Sequence, residues 1–347
     1  FIASAENIPS FIDRKKVELG GKVFRSKLDL AGLVIFGLPI TIYQQGFVPS
    51  ISLTLLFSNN PDQPKSIQET LSAKAGKRRG SVRLLETFKW FVKVAEPGSG
   101  ALHSEAFAEN CRIRIVHAYV RYAVNANKTN WNYVPEVKWE DDILGAPLSA
   151  SDGAIVVSTL VVTLYAMRRH LKKNLSDAEL DALNHWSNYI SYLQGVPEEL
   201  LFPTFEETLT FFSAFMMSIN VEAYHKELSA FMEQLQGLHF ERVVARKSKP
   251  IQFFLDGLTQ ATLDDKFDTR IKDHYGIKSA PLWAKAVLWS TKLGISAVNV
   301  AATLSPKLNE TLDAQAEHLW SRMIPEIEEA VSGYYGSFIG KGTAKAP

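Results

Sequence analysis

The sequence predicts an all-α fold, and three observations carry that reading. Apolar residues recur at spacings of three and four through most of the 347 residues, the period of helices with one buried face. Helix punctuation is frequent: Ser176-Asp-Ala-Glu179 has the form of a capping box, and Gly195-Val-Pro197 the form of a stop. No segment shows the sustained alternation of a half-buried strand, and no internal repeat is visible.

The elements follow in order. Pro9 and Ser10 open a short amphipathic helix that Gly20-Gly21 should break. Ala31 to Pro61 contains no charged residue, but Gly37, Pro39, Gln44, Gln45, Gly46 and Pro49 interrupt it. No uninterrupted apolar run of about 18 residues remains, so a membrane span is not expected. Buried helices joined by a kink, walling an apolar cavity, fit better; peripheral membrane contact is the alternative. Helices are expected at 66–77 and 83–94, separated by the solvated basic break Lys77-Arg78-Arg79-Gly80. After the loop Pro97-Gly98-Ser99-Gly100 a long helix should run from Ser104 to Val124. Ser151 or Asp152 should cap the next, nearly all-apolar helix, which reaches about His170 and must be central. The capping-box helix ends near Gln194, and Pro203-Thr204 restarts the chain into a helix expected to reach Gln236. Helical periodicity continues over Pro250–Leu263, Pro281–Leu304 and Asn309–Ser332, with a disordered tail from Gly340. The expected organisation is an N-terminal helical segment (1–64), a core (65–235), C-terminal helices completing the same domain (236–339) and the tail (340–347).

Composition excludes several function classes. A formal net charge of +1 argues against nucleic acid or an anionic membrane surface as the main partner. The single cysteine, Cys111, allows neither an internal disulfide nor a multi-cysteine metal site. His103, His170, His185, His225, His239, His274 and His318 form no HxxxH or HExxH pair. Walker, dinucleotide-binding and Gly-x-Ser-x-Gly patterns are absent too. A cytoplasmic location is the default expectation.

One stretch stands apart. In Arg114-Ile-Val-His117-Ala-Tyr-Val-Arg121, three polar residues share one helix face. Ile113, Ile115, Val116, Ala118 and Val120 surround them, so the helix is expected to be buried on most of its circumference. Two guanidiniums and an imidazole in an apolar setting need an anionic counterpart. A metal cofactor with carboxylates, haem above all, supplies one, with His117 as the iron ligand and Arg114 and Arg121 pairing its propionates or holding a supporting network. The plainer reading makes His117 a core histidine bonded to a backbone carbonyl, and pairs the arginines with Glu105 or Glu109. A second group, Arg83-Leu-Leu-Glu86-Thr87, also lies on one helix face and offers a guanidinium, a carboxylate and a hydroxyl for handling oxygen or protons. An exposed Arg83–Glu86 pair would instead be an ordinary surface salt bridge.

Together, Arg83-x-x-x-Thr87 and Arg114-x-x-His117-x-x-x-Arg121 resemble the latex-clearing rubber oxygenases. Their domain family also includes the oxygenase that cleaves a farnesyl chain in mycophenolic acid biosynthesis. Gly145-x-Pro147 with Asp152, and Leu193-x-Gly195-Val-Pro197-Glu198 leading to Pro203, extend the likeness over about Gln68 to Phe212. The resemblance implies a globin-like helical core with additional N- and C-terminal helices, binding one haem b. It implies His117 as proximal iron ligand with Arg83 and Thr87 near the haem, and cleavage of an isoprenoid double bond by dioxygen. The family's glutamate base falls nearest Glu69. One departure matters: Glu86 stands where the rubber oxygenases carry a lysine. A carboxylate there puts rubber itself in doubt as substrate. It also opens one alternative, a haem peroxidase or peroxygenase with Arg83 and Glu86 as its acid–base pair; a separate alternative is a non-catalytic haem or ligand-binding protein. The leading expectation remains an oxygenase acting on a small apolar, unsaturated substrate and dioxygen.

Overall fold

The computed structural model describes residues 6–25, 89–126, 145–170, 175–218 and 279–315, with a few isolated positions between 261 and 325. Every regular element among them is helical: α1 (Arg14–Arg25), α2 (Glu105–Ala126), α3 (Ala150–His170), α4 (Asp177–Leu193), α5 (Phe205–Ser218) and α6 (Leu282–Leu304). Residues 89–95 and 306–315 are also helical, and Glu198–Leu200 forms one 3-10 turn. The architecture is all-α. The helices expected within 31–61 and at 66–77, all of 250–263 but residue 261, and the tail from 340 lie outside the described residues, as does most of the chain expected to be helical after 315.

The helix starts are set by local chemistry. At α4 the Ser176 hydroxyl accepts from Glu179 N–H, and the Glu179 carboxylate accepts from Ser176 N–H, the reciprocal box the sequence predicts. Thr204 and Glu207 build the same device before α5. The cap of α3 differs from expectation. Ser149 is the capping residue, its hydroxyl accepting from Asp152 N–H, while the Asp152 carboxylate accepts from Ser149 N–H. Asp152 therefore sits three residues inside the helix start, where its carboxylate completes the box.

The core forms where α1, α3, α4 and the 89–95 helix meet. From α3 it takes Ile155, Val157, Leu160, Val161 and Leu164, and Ser158 and Thr159 return their hydroxyls to carbonyls one turn back. The central place expected for this helix is what the structure shows. Trp186 of α4 is fully buried; its ring stacks on Phe24 at 4.6 Å and its indole N–H donates to the Val94 carbonyl at 2.9 Å. Asn184 and Asn188, also on α4, donate to the Phe202 carbonyl, and Thr208 donates to Asn184, which fixes the return into α5.

Gly20-Gly21 does not break the first helix. α1 runs through both glycines because they are its contact face: a Cβ on Gly20 would stand 2.3 Å from the Ala182 carbonyl oxygen and 2.6 Å from Trp186 Cβ. Two helices this close exclude any side chain, and the packing gained offsets the roughly 1 kcal/mol that a mid-helix glycine costs.

At the start of this seam, Asp13 N–H donates to Nδ1 of the nearly buried His185 at 3.2 Å. Nε2 faces Lys16 Nζ at 3.3 Å and Asp181 Oδ1 at 3.5 Å, and Lys16 pairs with Asp181 at 2.7 Å. The imidazole must stay neutral to accept from Asp13, and burial pushes its pKa below the usual histidine value. A histidine depressed in the folded state takes up its proton more readily in the unfolded chain, so stability is lost as pH falls below about 6.5. Thermal midpoints measured from pH 7 to 5 are expected to fall more steeply in the native chain than in His185→Asn, whose amide oxygen keeps the acceptor without titrating. Equal slopes would refute this role for His185.

α6 stands somewhat apart. Ala261, Ala280, Ala284 and Leu288 form a small separate cluster, and Lys285 pairs with the buried Asp264 at 2.7 Å. Among the described residues it is the one helix long and apolar enough, by length and composition, to cross a membrane, with Lys285 and Lys292 as its charged residues.

Candidate functional site around His117

α2 carries the site, and it is less enclosed than the sequence suggests. Ala106, Phe107 and Asn110 are buried, and Ile113, Arg114 and His117 continue the inward stripe at helical spacing, partly buried. Ile115, Val116, Tyr119 and Tyr122 are exposed, Tyr119 to 73%. The expectation of a helix buried on most of its circumference is therefore corrected to one buried on a single stripe. Asn110 anchors that stripe: its side-chain oxygen accepts from Trp90 Nε1 at 3.0 Å, and its amide donates to the Ala106 carbonyl. Sequence reasoning passed over Asn110, although an asparagine on an apolar helix stripe is a sign of a buried polar tether.

His117 sits within this stripe with its charge decided. Burial, and after it the positive charge of Arg121, hold its pKa down at about 4, so the ring is neutral at pH 7. No described residue hydrogen-bonds the ring. A backbone carbonyl partner, the plainer expectation for this residue, is thus not found among the described residues.

The two arginines reach in different directions. Arg121 Nε donates to the Leu148 carbonyl at 3.2 Å, gripping the Gly145-Ala-Pro147-Leu148 loop before α3. Arg114 lies over the turn after α4, so close to Gly195 that a Cβ there would stand 2.8 Å from its Nε. Of the acids that the plainer reading pairs with them, Glu105 binds Lys93 at 2.8 Å and Glu109 binds Arg112. Three stretches singled out separately in the sequence therefore meet along α2 on either side of His117: its own helix, the loop with Gly145 and Pro147 at Arg121, and the turn with Gly195 and Pro197 at Arg114. Arg83, Glu86, Thr87 and Glu69 lie outside the described residues.

Chemically, the arrangement offers one neutral nitrogen donor flanked by fixed positive charge. Among the described residues, no group of three or more His, Cys, Asp or Glu side chains is placed to hold a metal ion. One imidazole suffices when a macrocycle supplies the other ligands, and cations nearby favour a cofactor carrying carboxylates. The residues present fit haem.

Comparison with known proteins bears on the same region. No curated protein sequence matches the chain. A solved structure of latex clearing protein in its closed state is 16% identical with a TM-score of 0.55, over 90% of this chain and 76% of that one, and so shares the fold. The pattern of the family described as ER-bound oxygenase mpaB/B′ and rubber oxygenase, catalytic domain, matches residues 72–303. The match runs well past Phe212, where the likeness read from motifs ends, and takes in α6 to within one residue of its end; Glu69 falls just before it. With more than half its length matched, the chain belongs to the mpaB/rubber oxygenase catalytic-domain family of oxygenases.

Proposed function

We propose that the protein is a haem b-dependent oxygenase that cleaves a carbon–carbon double bond of a small apolar, isoprenoid-like substrate with dioxygen. The observation that carries this reading is His117: a neutral imidazole between two arginines, with no hydrogen-bond partner among the described residues, on the matched domain's helix stripe. His117 would hold the iron, and Arg114 and Arg121 would set the helix around it and supply positive charge toward the carboxylates. The haem, when bound, supplies the redox chemistry with dioxygen. Arg83 and Thr87 are proposed to stand near the reacting oxygen, with Glu69 and Glu86 as the candidate proton-handling groups. The overall reaction balances: one C=C and one O2 give two carbonyl ends.

The test is direct. Hemin added to the full chain should give a Soret band that sharpens and shifts with dithionite. The loaded protein should consume oxygen with squalene as a model isoprenoid and place oxygen-18 from labelled O2 in both carbonyl products. Hemin binding without oxygen uptake across unsaturated lipids would leave a binding protein in place of the enzyme. Glu86, in the position of the rubber oxygenases' lysine, favours a peroxide-driven variant. Turnover with hydrogen peroxide under nitrogen, slowed in Glu86→Gln, would establish that version over the dioxygen one.

A further inference from the structure

We propose that Gly195 is a positioning residue for His117: because it has no side chain, the Arg114 guanidinium seats on the turn after α4 and sets the rotation of α2. The inference rests on the function proposed above and adds to it a residue outside the Arg114–Arg121 element.

Gly195 answers two demands at once. Its φ of +97° lies in the left-handed region, and the turn closes with Gly195 N–H donating to the Tyr192 carbonyl and Val196 N–H to Ser191. This is the glycine-terminated helix end in which the two amides beyond the cap satisfy orphan carbonyls. Backbone conformation alone would call for glycine here. The second demand is particular to this position. A Cβ on Gly195 would stand 2.8 Å from Arg114 Nε, 3.2 Å from Cζ and 3.3 Å from Cδ, whereas Gly98 and Gly145, also at positive φ, have nothing within 4 Å.

The seat sits where three helices meet. Arg114 is one turn before His117 and rests on the α4 exit. Arg121, one turn after, holds the Leu148 carbonyl at the α3 entry. The first turn of α3, just beyond that carbonyl, also touches the α4 exit: a Cβ on Gly153 would stand 3.0 Å from Val196 Cγ2. α2 is thus braced on both sides of His117 against neighbours that are themselves in contact. Removing one brace lets α2 roll about the other, and the imidazole turns with it.

A side chain at 195 displaces the guanidinium, the far end of a flexible stem, more easily than it displaces backbone. The fold therefore survives while the brace is lost, and the effect falls on the iron environment. Outer residues that orient a metal-ligating histidine typically change affinity by about 10–100-fold. The experiment loads the full chain with hemin and compares Gly195→Ala, Arg114→Ala, their double variant, and Gly98→Ala as a control for left-handed strain without a clash. Gly195→Ala and Arg114→Ala should each shift the Soret band and speed hemin loss to apomyoglobin about 10-fold. The double variant should be no worse than Arg114→Ala, and Gly98→Ala should match the native spectrum. A native Soret band and release rate in folded Gly195→Ala, or an equal further shift when Arg114 is already alanine, overturns the positioning role alone. Should Gly195→Ala fail to fold, a native spectrum in Arg114→Ala overturns it equally. Absence of hemin binding by the native chain overturns the proposed function, and this role with it.

Discussion

His117→Ala is expected to lose its haem on desalting while keeping its helical fold. Alanine is the best helix former, and position 117 lies on a stripe that is only partly buried, so α2 should tolerate the change. The metal bond does not. Loss of a group that merely supports a ligand costs about 10–100-fold in metal affinity, so loss of the ligand itself should exceed about 100-fold. The measurement is the Soret absorbance per chain after gel filtration, beside the far-UV circular dichroism of the same sample. Exogenous imidazole entering the vacated space should restore the band in part. A variant that keeps full haem and full oxygen uptake would remove His117 from the site and leave the two arginines in need of another explanation.

The second large effect concerns the fold. Gly20→Ala should destabilise the protein by about 3 kcal/mol through overpacking, with about 1 kcal/mol recovered from better helix propensity. The obstacle is backbone, the Ala182 carbonyl oxygen at 2.3 Å from the new Cβ, and backbone within a helix cannot swing aside. α1 must lift from α4, loosening the Phe24–Trp186 stack. Chemical denaturation followed by tryptophan fluorescence would read the loss. Gly21→Ala, whose nearest atom is the Ala95 carbonyl oxygen at 3.3 Å, should cost much less. Equal costs at the two positions would contradict the seam as described.

Local features of this protein were legible in its sequence, and contacts between distant segments were not. Ser176–Glu179 is a pair three residues apart, and its chemistry is complete within one turn, so the helix start could be read directly. The cap of α3 falls two or three residues before the expected Ser151 or Asp152, because Ser149, Ser151 and Asp152 all offer capping oxygens and their order is settled only by which backbone N–H each reaches. Gly20-Gly21 looked like a break since a glycine's local tendency is to end helices; its partners, Ala182 and Trp186, lie more than 160 residues on. The Arg-x-x-His-x-x-x-Arg spacing placed three side chains on one face, but nothing in it told that Arg114 would rest on Gly195 or Arg121 on the Leu148 carbonyl. Those partners have no sequence signal of their own beyond a turn glycine and a proline. The neutral state of His117 follows from burial, which periodicity only hints at.

The α1–α4 seam has a consequence for synthesis. Asp13 and His185, which meet at its start, are 172 residues apart. At about 5–20 residues per second, the ribosome takes roughly 10–30 s to deliver α4 after α1 has emerged. A helix of 12 residues holds little structure alone in water. For that interval Phe24, buried against Trp186 in the finished protein, lacks its stacking partner. The nascent chain thus leaves the tunnel with an apolar segment whose α4 partner is made only later.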